Sequence, residues 1–267
     1  MIQTLKRIEM QFERIADIKR LHFIVDVLKN KIPPNGNVLD VGCGNGIISK
    51  GVGEHAFNVY GIDISAKAIE KARSENLLAN VKFDVKSAED LVAEGQKYDA
   101  VICSEVLEHL SFPGSLLNVI HKSLKDQGIL IVTVPNGNGP REVFVTKPVI
   151  AMQKKGNWLW HAVKKIKSWF GYKGTTVQSD ADNLTHIQFF TKRSLQQLAS
   201  RNQFKIVRFG KTNFIDDVFP FSLITKRFRL LQKMDCAVAE FLPYSFTGGF
   251  VTVWEKQENT SKVSDRK

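Results

Sequence analysis

Between Asn37 and Val134, five short apolar runs alternate with stretches patterned as helix, and this alternation leaves the chain few ways to fold. The runs are Asn37 to Val41, Asn58 to Asp63, Val81 to Val85, Tyr98 to Cys103 and Gly128 to Val134. Helical periodicity fills the gaps, from about Ile47, from Ser65 to Asn76 and from Phe112 to Lys125. Strands joined through helices imply right-handed crossovers and a mostly parallel sheet. A further helix at Lys192 to Asn202 and strands at Phe204 to Gly210 and Phe250 to Trp254 bring the expected sheet to seven strands.

The rest of the chain arranges itself around that sheet. Residues 1–34 read as helices, with Leu21, Ile24, Val25 and Leu28 at helical spacing, and Pro33-Pro34-Asn35-Gly36 ends them. Residues 35–255 form the expected domain, interrupted by insertions at about 139–183 and 215–245, after the fifth and sixth strands. Residues 256–267 are a polar tail. No run of about 18 apolar residues is present, so none is expected to span a bilayer. The first nine residues lack the apolar stretch of a secretory signal. The three cysteines (Cys43, Cys103, Cys236) contain no Cys-x-x-Cys pair and no zinc spacing, which fits a reducing, cytoplasmic setting.

Sheets of this kind bind ligands outside the carboxyl ends of their strands. The first strand ends in Asp40-x-Gly42-x-Gly44-x-Gly46, where glycines let the backbone approach a ligand closely. Asp63 ends the second strand, where a carboxylate can accept both hydroxyls of a ribose. Such a turn alone also suits a dinucleotide. The spacing, however, is not Gly-x-Gly-x-x-Gly, and Asp40 stands where that fingerprint usually has an apolar residue.

Leu39-Asp40-Val41-Gly42-Cys43-Gly44-Asn45-Gly46 followed by Gly61-Ile62-Asp63-Ile64-Ser65 resembles the first two motifs of class I S-adenosylmethionine-dependent methyltransferases. Tyr98 to His109 resembles their fourth-strand motif, Gly128 to Pro135 their fifth strand, and His186-Ile187-Gln188-Phe189-Phe190-Thr191 a segment before a late helix. The resemblance lies with the type 11/type 23 and ubiquinone-biosynthesis O-methyltransferase branch and covers roughly residues 35–210 and the last strand. It implies a Rossmann-like fold and S-adenosylmethionine as cofactor. Gly42, Cys43 and Gly44 would then line its methionine part, and Asp63 would bind the ribose. Ile64 would pack on the adenine, with Ser87, Ala88 and Glu89 facing its edge. Asp40 would lie near the cationic sulfonium end, and Ser104 would close the site after the fourth strand.

Methyl transfer from a sulfonium is an in-line displacement in which the protein positions the acceptor and excludes water. A hydroxyl acceptor also needs a base within hydrogen-bond reach. Glu105, Glu108 and His109, at i, i+3 and i+4, would share one helical face just beyond the fourth strand. The Glu-x-x-Glu-His pattern is similar to that of ubiquinone-biosynthesis O-methyltransferases, which implies a divalent metal on those three residues. The alternative keeps His109 as base or orienter beside Glu108, without metal. His186 is the second candidate catalytic histidine; its other reading is a core histidine beside Phe189 and Phe190.

The formal net charge of +11 calls for an anionic partner. From Val143 to Ser179 there are seven lysines, no acidic residue and three of the four tryptophans. Residues 152–173 pattern as an interfacial helix, with Leu159, Val163, Ile166, Trp169 and Phe170 on one face and Lys164, Lys165 and Lys167 on the others. The second insertion repeats this pattern more faintly with Leu223, Ile224, Phe228, Leu231 and Met234. Both insertions equally read as a plain lid. Nucleic acid is the weaker expectation, because Cys103-Ser104-Glu105 replaces the Asn/Asp-Pro-Pro-Tyr type motif of amino-methylating DNA enzymes. The expected acceptor is a hydroxyl on a small or lipid-linked molecule, such as a quinone precursor or cell-surface sugar, reached peripherally at an anionic membrane.

Overall fold

The computed structural model describes residues 10–93, 95–154 and 187–257. Seven strands form one sheet: β1 (Asn37–Val41), β2 (Asn58–Asp63), β3 (Val81–Val85), β4 (Tyr98–Ser104), β5 (Leu124–Pro135), β6 (Phe204–Lys211) and β7 (Gly249–Lys256). Their order is β3-β2-β1-β4-β5-β7-β6. The first five run parallel, and β7 lies antiparallel to both β5 and β6. The expected α/β class and the seven expected strands are all present.

Nine α-helices surround the sheet among the described residues: α1 (Ile15–Lys31), α2 (Ile47–Gly53), α3 (Ala66–Ser74), α4 (Ala88–Ala93), α5 (Pro113–Ser123), α6 (Lys147–Lys154), α7 (Lys192–Arg201), α8 (Phe221–Thr225) and α9 (Arg229–Phe241). Helix α7 begins at a capping box, in which Thr191 and Ser194 exchange hydrogen bonds between side chain and backbone.

The central strands β1, β4, β5 and β7 are buried on both faces, so their sequences read as largely continuous apolar runs. In β4, Ala100 and Ile102 enter the core shared with α1, α2 and α3, whereas Val101 and Cys103 enter the core shared with α5 and α7. The same two-residue alternation splits Ile129 and Ile131 from Leu130 and Val132 in β5. Leu21, Ile24 and Leu28 of α1 are fully buried in the first core. The N-terminal helix is thus part of the sheet's packing.

Chain order reverses between β1 and β4, which opens a crevice beyond their carboxyl ends. A single π-helical turn at Glu142–Thr146 leads into α6 after β5, and α8 and α9 lie between β6 and β7. His186 and most of the 152–173 stretch lie outside the described residues.

Candidate active site

The loop after β1 is shaped by its backbone. Gly42, Gly44 and Gly46 all have positive φ, between 55° and 73°. At Gly42 the requirement is also one of space, since a Cβ there would come 2.5 Å from Val106 Cγ2 in the loop after β4. The loop is tied to β2: the N–H groups of Gly42 and Cys43 donate to the Ile62 carbonyl at 2.8 and 3.0 Å. Cys43 turns its thiol into the core among Val59 and Phe83, leaving only its backbone for a ligand. Burial and the charges of Asp40 and Asp63 raise that thiol's pKa, so it stays neutral.

Asp63 is held rigidly by two backbone donors. Gly44 N–H reaches its Oδ2 at 2.9 Å, and Ser65 N–H reaches its Oδ1 at 2.8 Å. A carboxylate offers about four lone-pair sites, so each oxygen keeps one for a vicinal diol. Next to it Ile64 is 81% exposed, an apolar platform with nothing of the described chain covering it. Asp40 lies deeper, 2% exposed, and accepts the Ser49 hydroxyl at 2.5 Å. Burial, reinforced by the charge of Asp63, lifts its pKa to about 7 against the pull of Ser49.

The loop after β3 begins α4. Ser87 caps α4: its hydroxyl donates to Asp90 Oδ2 at 2.8 Å, and its N–H donates to the same oxygen at 3.0 Å. The Ala88 methyl is buried in the second core. Any contact with an adenine edge here would come from backbone groups.

Beyond β4 the expected helical face does not form. Glu105 sits at φ 57°, and Leu107–His109 is a single 3-10 turn, so the three candidate ligands leave the backbone in different directions. Thr133 donates its hydroxyl to Glu105 Oε1 at 2.9 Å, which spends its one proton, so Ser104 donates to Thr133 across 2.8 Å. Arg20 of α1, only 5% exposed, brings its guanidinium 3.5 Å from Glu105 Oε1 and 3.4 Å from Asp17. Its charge also acts on Glu108.

Glu105, Glu108 and His109 are the residues on which a divalent metal is expected by resemblance. Among the described residues no three His, Cys, Asp or Glu side chains gather into a set able to hold a metal ion. A guanidinium already supplies the positive charge beside Glu105, and a divalent cation placed there would face it across a few ångströms.

Glu108 is 1% exposed, and among the described residues neither carboxyl oxygen has a hydrogen-bond partner. Burial first, and then the charge of Glu105, holds its carboxyl well above the ordinary range. His109 Nε2 lies 3.8 Å from Glu108 Oε1, just beyond hydrogen-bond reach. The backbone carbonyl of Glu108 accepts the N–H groups of Ile187 and Gln188 at 2.8 and 2.9 Å. The segment directly after His186 is therefore anchored on the Glu108–His109 turn.

Sequence reasoning missed Arg20, Thr133 and Asn136. The Asn136 amide donates to the carbonyls of Tyr244 and Thr247 at 2.9 and 2.8 Å and so ties β5 to the turn before β7. One signal for Arg20 was available: with Asp17 it interrupts the stripe continued by Leu21, Ile24 and Leu28.

A family model described as a methyltransferase domain matches residues 10–208. The chain belongs to this family. It carries an S-adenosylmethionine-dependent methyltransferase domain. It is 34% identical over 116 residues to a ubiquinone biosynthesis O-methyltransferase of Xylella fastidiosa, covering 42% of this chain and 47% of that protein. To the enzyme of the same name from Dechloromonas aromatica it is 33% identical over 153 residues, covering 55% and 65%. The methyltransferase chain thus spans about half to two thirds of the length of these relatives. In fold it is similar to magnesium protoporphyrin IX methyltransferase from Synechocystis with bound S-adenosylhomocysteine. That match has a TM-score of 0.55 and 16% identity, over 91% of this chain and 84% of the other.

Proposed function

We propose that this methyltransferase moves the methyl group of S-adenosylmethionine onto a hydroxyl of a small or lipid-linked acceptor. A quinone precursor is the reading favoured by its relatives, and a cell-surface sugar the second. The observation that carries the hydroxyl reading is Glu108, a buried carboxyl that lies beside His109, has no hydrogen-bond partner among the described residues and sits one loop away from the Gly42–Gly46 turn. An amine acceptor arrives with its own lone pair. A hydroxyl must lose a proton, and a carboxyl–imidazole pair is equipped to take it.

In this mechanism the donor's ribose hydroxyls bind Asp63, its adenine rests on Ile64, and the backbone of Gly42, Cys43 and Gly44 follows its methionine part. Asp40 faces the cationic end and is ionised by it, since an opposite charge favours the charged carboxylate. The donor's positive charge favours the ionised form of Glu108, whose proton leaves to solvent; His109 then accepts the acceptor's proton, and the Glu108 carboxylate stabilises the resulting imidazolium. His186, whose following residues are anchored to the Glu108 carbonyl, orients the acceptor. The oxygen lone pair attacks the methyl carbon as the carbon–sulfur bond breaks. Its electrons return to sulfur, leaving neutral S-adenosylhomocysteine. Arg20, bound to Glu105, fixes the turn that carries both catalytic groups.

The test is S-adenosylhomocysteine release from purified protein with catechol-type phenols, with amines, and with RNA. The proposal expects turnover with phenols that falls by about 10²-fold or more in Glu108→Gln. Turnover confined to amines or RNA, or phenol turnover untouched by that substitution, would overturn it.

A further inference from the structure

Helix α9 is apolar on two opposite faces. One face, formed by Gln232, Cys236 and Ala239, is buried towards α1. Its orientation is fixed by Gln232, whose Oε1 accepts Ile15 N–H at 2.8 Å and whose amide donates to the Thr225 carbonyl at 3.0 Å. Lys19 of α1 adds a bond to the Cys236 carbonyl at 3.2 Å. Among the described residues nothing covers the opposite face in this way. Leu230 is 69% exposed, Met234 56%, Val238 46% and Phe241 90%, and at spacings of four, four and three they form one stripe along the helix. Ile224 and Phe228, at 57% and 56%, extend it onto the preceding turns.

The charge around this stripe has one sign. Lys226, Arg227, Arg229 and Lys233 are all exposed beside it. The two acids of the segment are used elsewhere. Asp235 accepts the N–H groups of Phe214 and Ile215 at 2.7 and 2.9 Å, and Glu240 pairs with Lys19 at 2.6 Å. A continuous exposed apolar stripe of this kind marks an interaction surface. A cationic rim around an apolar stripe matches a membrane interface, where side chains enter the acyl boundary and cations meet anionic head groups. A second copy of the chain would bring the same cations to the contact and no acid to meet them.

We propose that the outward face of α8 and α9 docks on an anionic lipid surface, holding the protein peripherally at the membrane. This surface is separate from the donor site and does not depend on which acceptor is methylated.

Co-sedimentation of the full chain with vesicles of phosphatidylcholine alone, or mixed with phosphatidylglycerol, tests this. Wild-type protein should bind the anionic vesicles about tenfold or more tightly than the neutral ones, and this preference should collapse in added salt. Met234→Ser with Phe241→Ser, and separately Arg229→Glu with Lys233→Glu, should each weaken anionic binding by about tenfold or more. Both pairs alter exposed positions, and unchanged calorimetric affinity for S-adenosylmethionine would verify their folding. Wild-type protein that stays in solution with anionic vesicles would overturn the proposal, as would variants that pellet like wild type. Concentration-dependent dimerisation lost in both variants, without vesicle binding, would assign the face to a second copy instead.

Discussion

Arg20 on α1 lies 3.5 Å from Glu105 on the loop after β4, two residues far apart in sequence and both drawn into the candidate active site. The pair is the end of a longer relay. Asp17 receives both Arg20 and a two-pronged contact from Arg14, whose Nε and Nη2 donate at 3.0 and 2.8 Å. Arg14 in turn reaches Asp217 at 3.6 Å, as does Arg141 at the start of the first insertion. The N-terminal helix, the acceptor loop and both insertions therefore share one charged network. Removing Arg20 takes the counter-charge from Glu105 and leaves Asp17 to Arg14 alone.

Arg20→Met should accordingly destabilise the protein by about 1–3 kcal/mol, below the cost of breaking a fully buried pair because Glu105 is partly solvated and Asp17 keeps Arg14. Urea denaturation followed by circular dichroism measures it. Because Arg20 supplies the charge otherwise assigned to a metal, chelator should leave the wild-type melting temperature unchanged. A fall in melting temperature on chelation would restore the metal reading of Glu105, Glu108 and His109.

Asp40 should give the apo protein a distinct pH dependence. Its carboxyl titrates at 3.8 when unperturbed and at about 7 in the fold, because burial disfavours its charge. The folded chain thus holds the proton more tightly than the unfolded one. The contribution is full below about pH 4 and is lost as pH rises to about 7, by up to about 1.4 kcal/mol per pH unit. Asp40→Asn should flatten that decline and stabilise the cofactor-free protein at pH 8, while weakening S-adenosylmethionine. An unaltered pH profile in the variant would contradict this account.

Two glycines with similar backbone angles should respond differently to alanine. Gly42 and Gly95 have φ of 70° and 68°, but a Cβ at Gly42 meets Val106 whereas one at Gly95 meets nothing within 4 Å. Gly95→Ala carries only the left-handed penalty, about 1–2 kcal/mol. Gly42→Ala adds overpacking of about 1–3 kcal/mol and displaces the loop that receives the donor. Chemical denaturation of the two variants should separate them, and equal losses would show that the contact with Val106 is unimportant.

Much of this arrangement was legible in the sequence, for physical reasons that can be named. A strand buried on both faces must be apolar throughout, so β1 and β4 announce themselves. A loop such as Gly42 to Gly46 needs positive φ, and glycine supplies it at least cost. The acceptor side was less legible. Helical spacing predicted one face for Glu105, Glu108 and His109, but Glu105 adopts a left-handed conformation, donates its N–H to the Thr133 carbonyl at 2.9 Å and breaks the helix there. Arg20 escaped notice because its partner is distant in sequence, and pairings of that kind are set by topology. Ser87 also caps a helix with Asp90 three residues on, a local pattern legible in the sequence beside its expected place at the adenine.

The most direct test is calorimetric titration of S-adenosylmethionine into wild-type protein and Asp63→Ala. Wild type should bind one equivalent. The substitution removes charge-assisted hydrogen bonds to the ribose hydroxyls, worth about 1.5–3 kcal/mol each, so affinity should fall by well over tenfold. No binding to wild type, or equal affinity in the two proteins, would contradict the assignment of the donor site to the edge of β1 and β2.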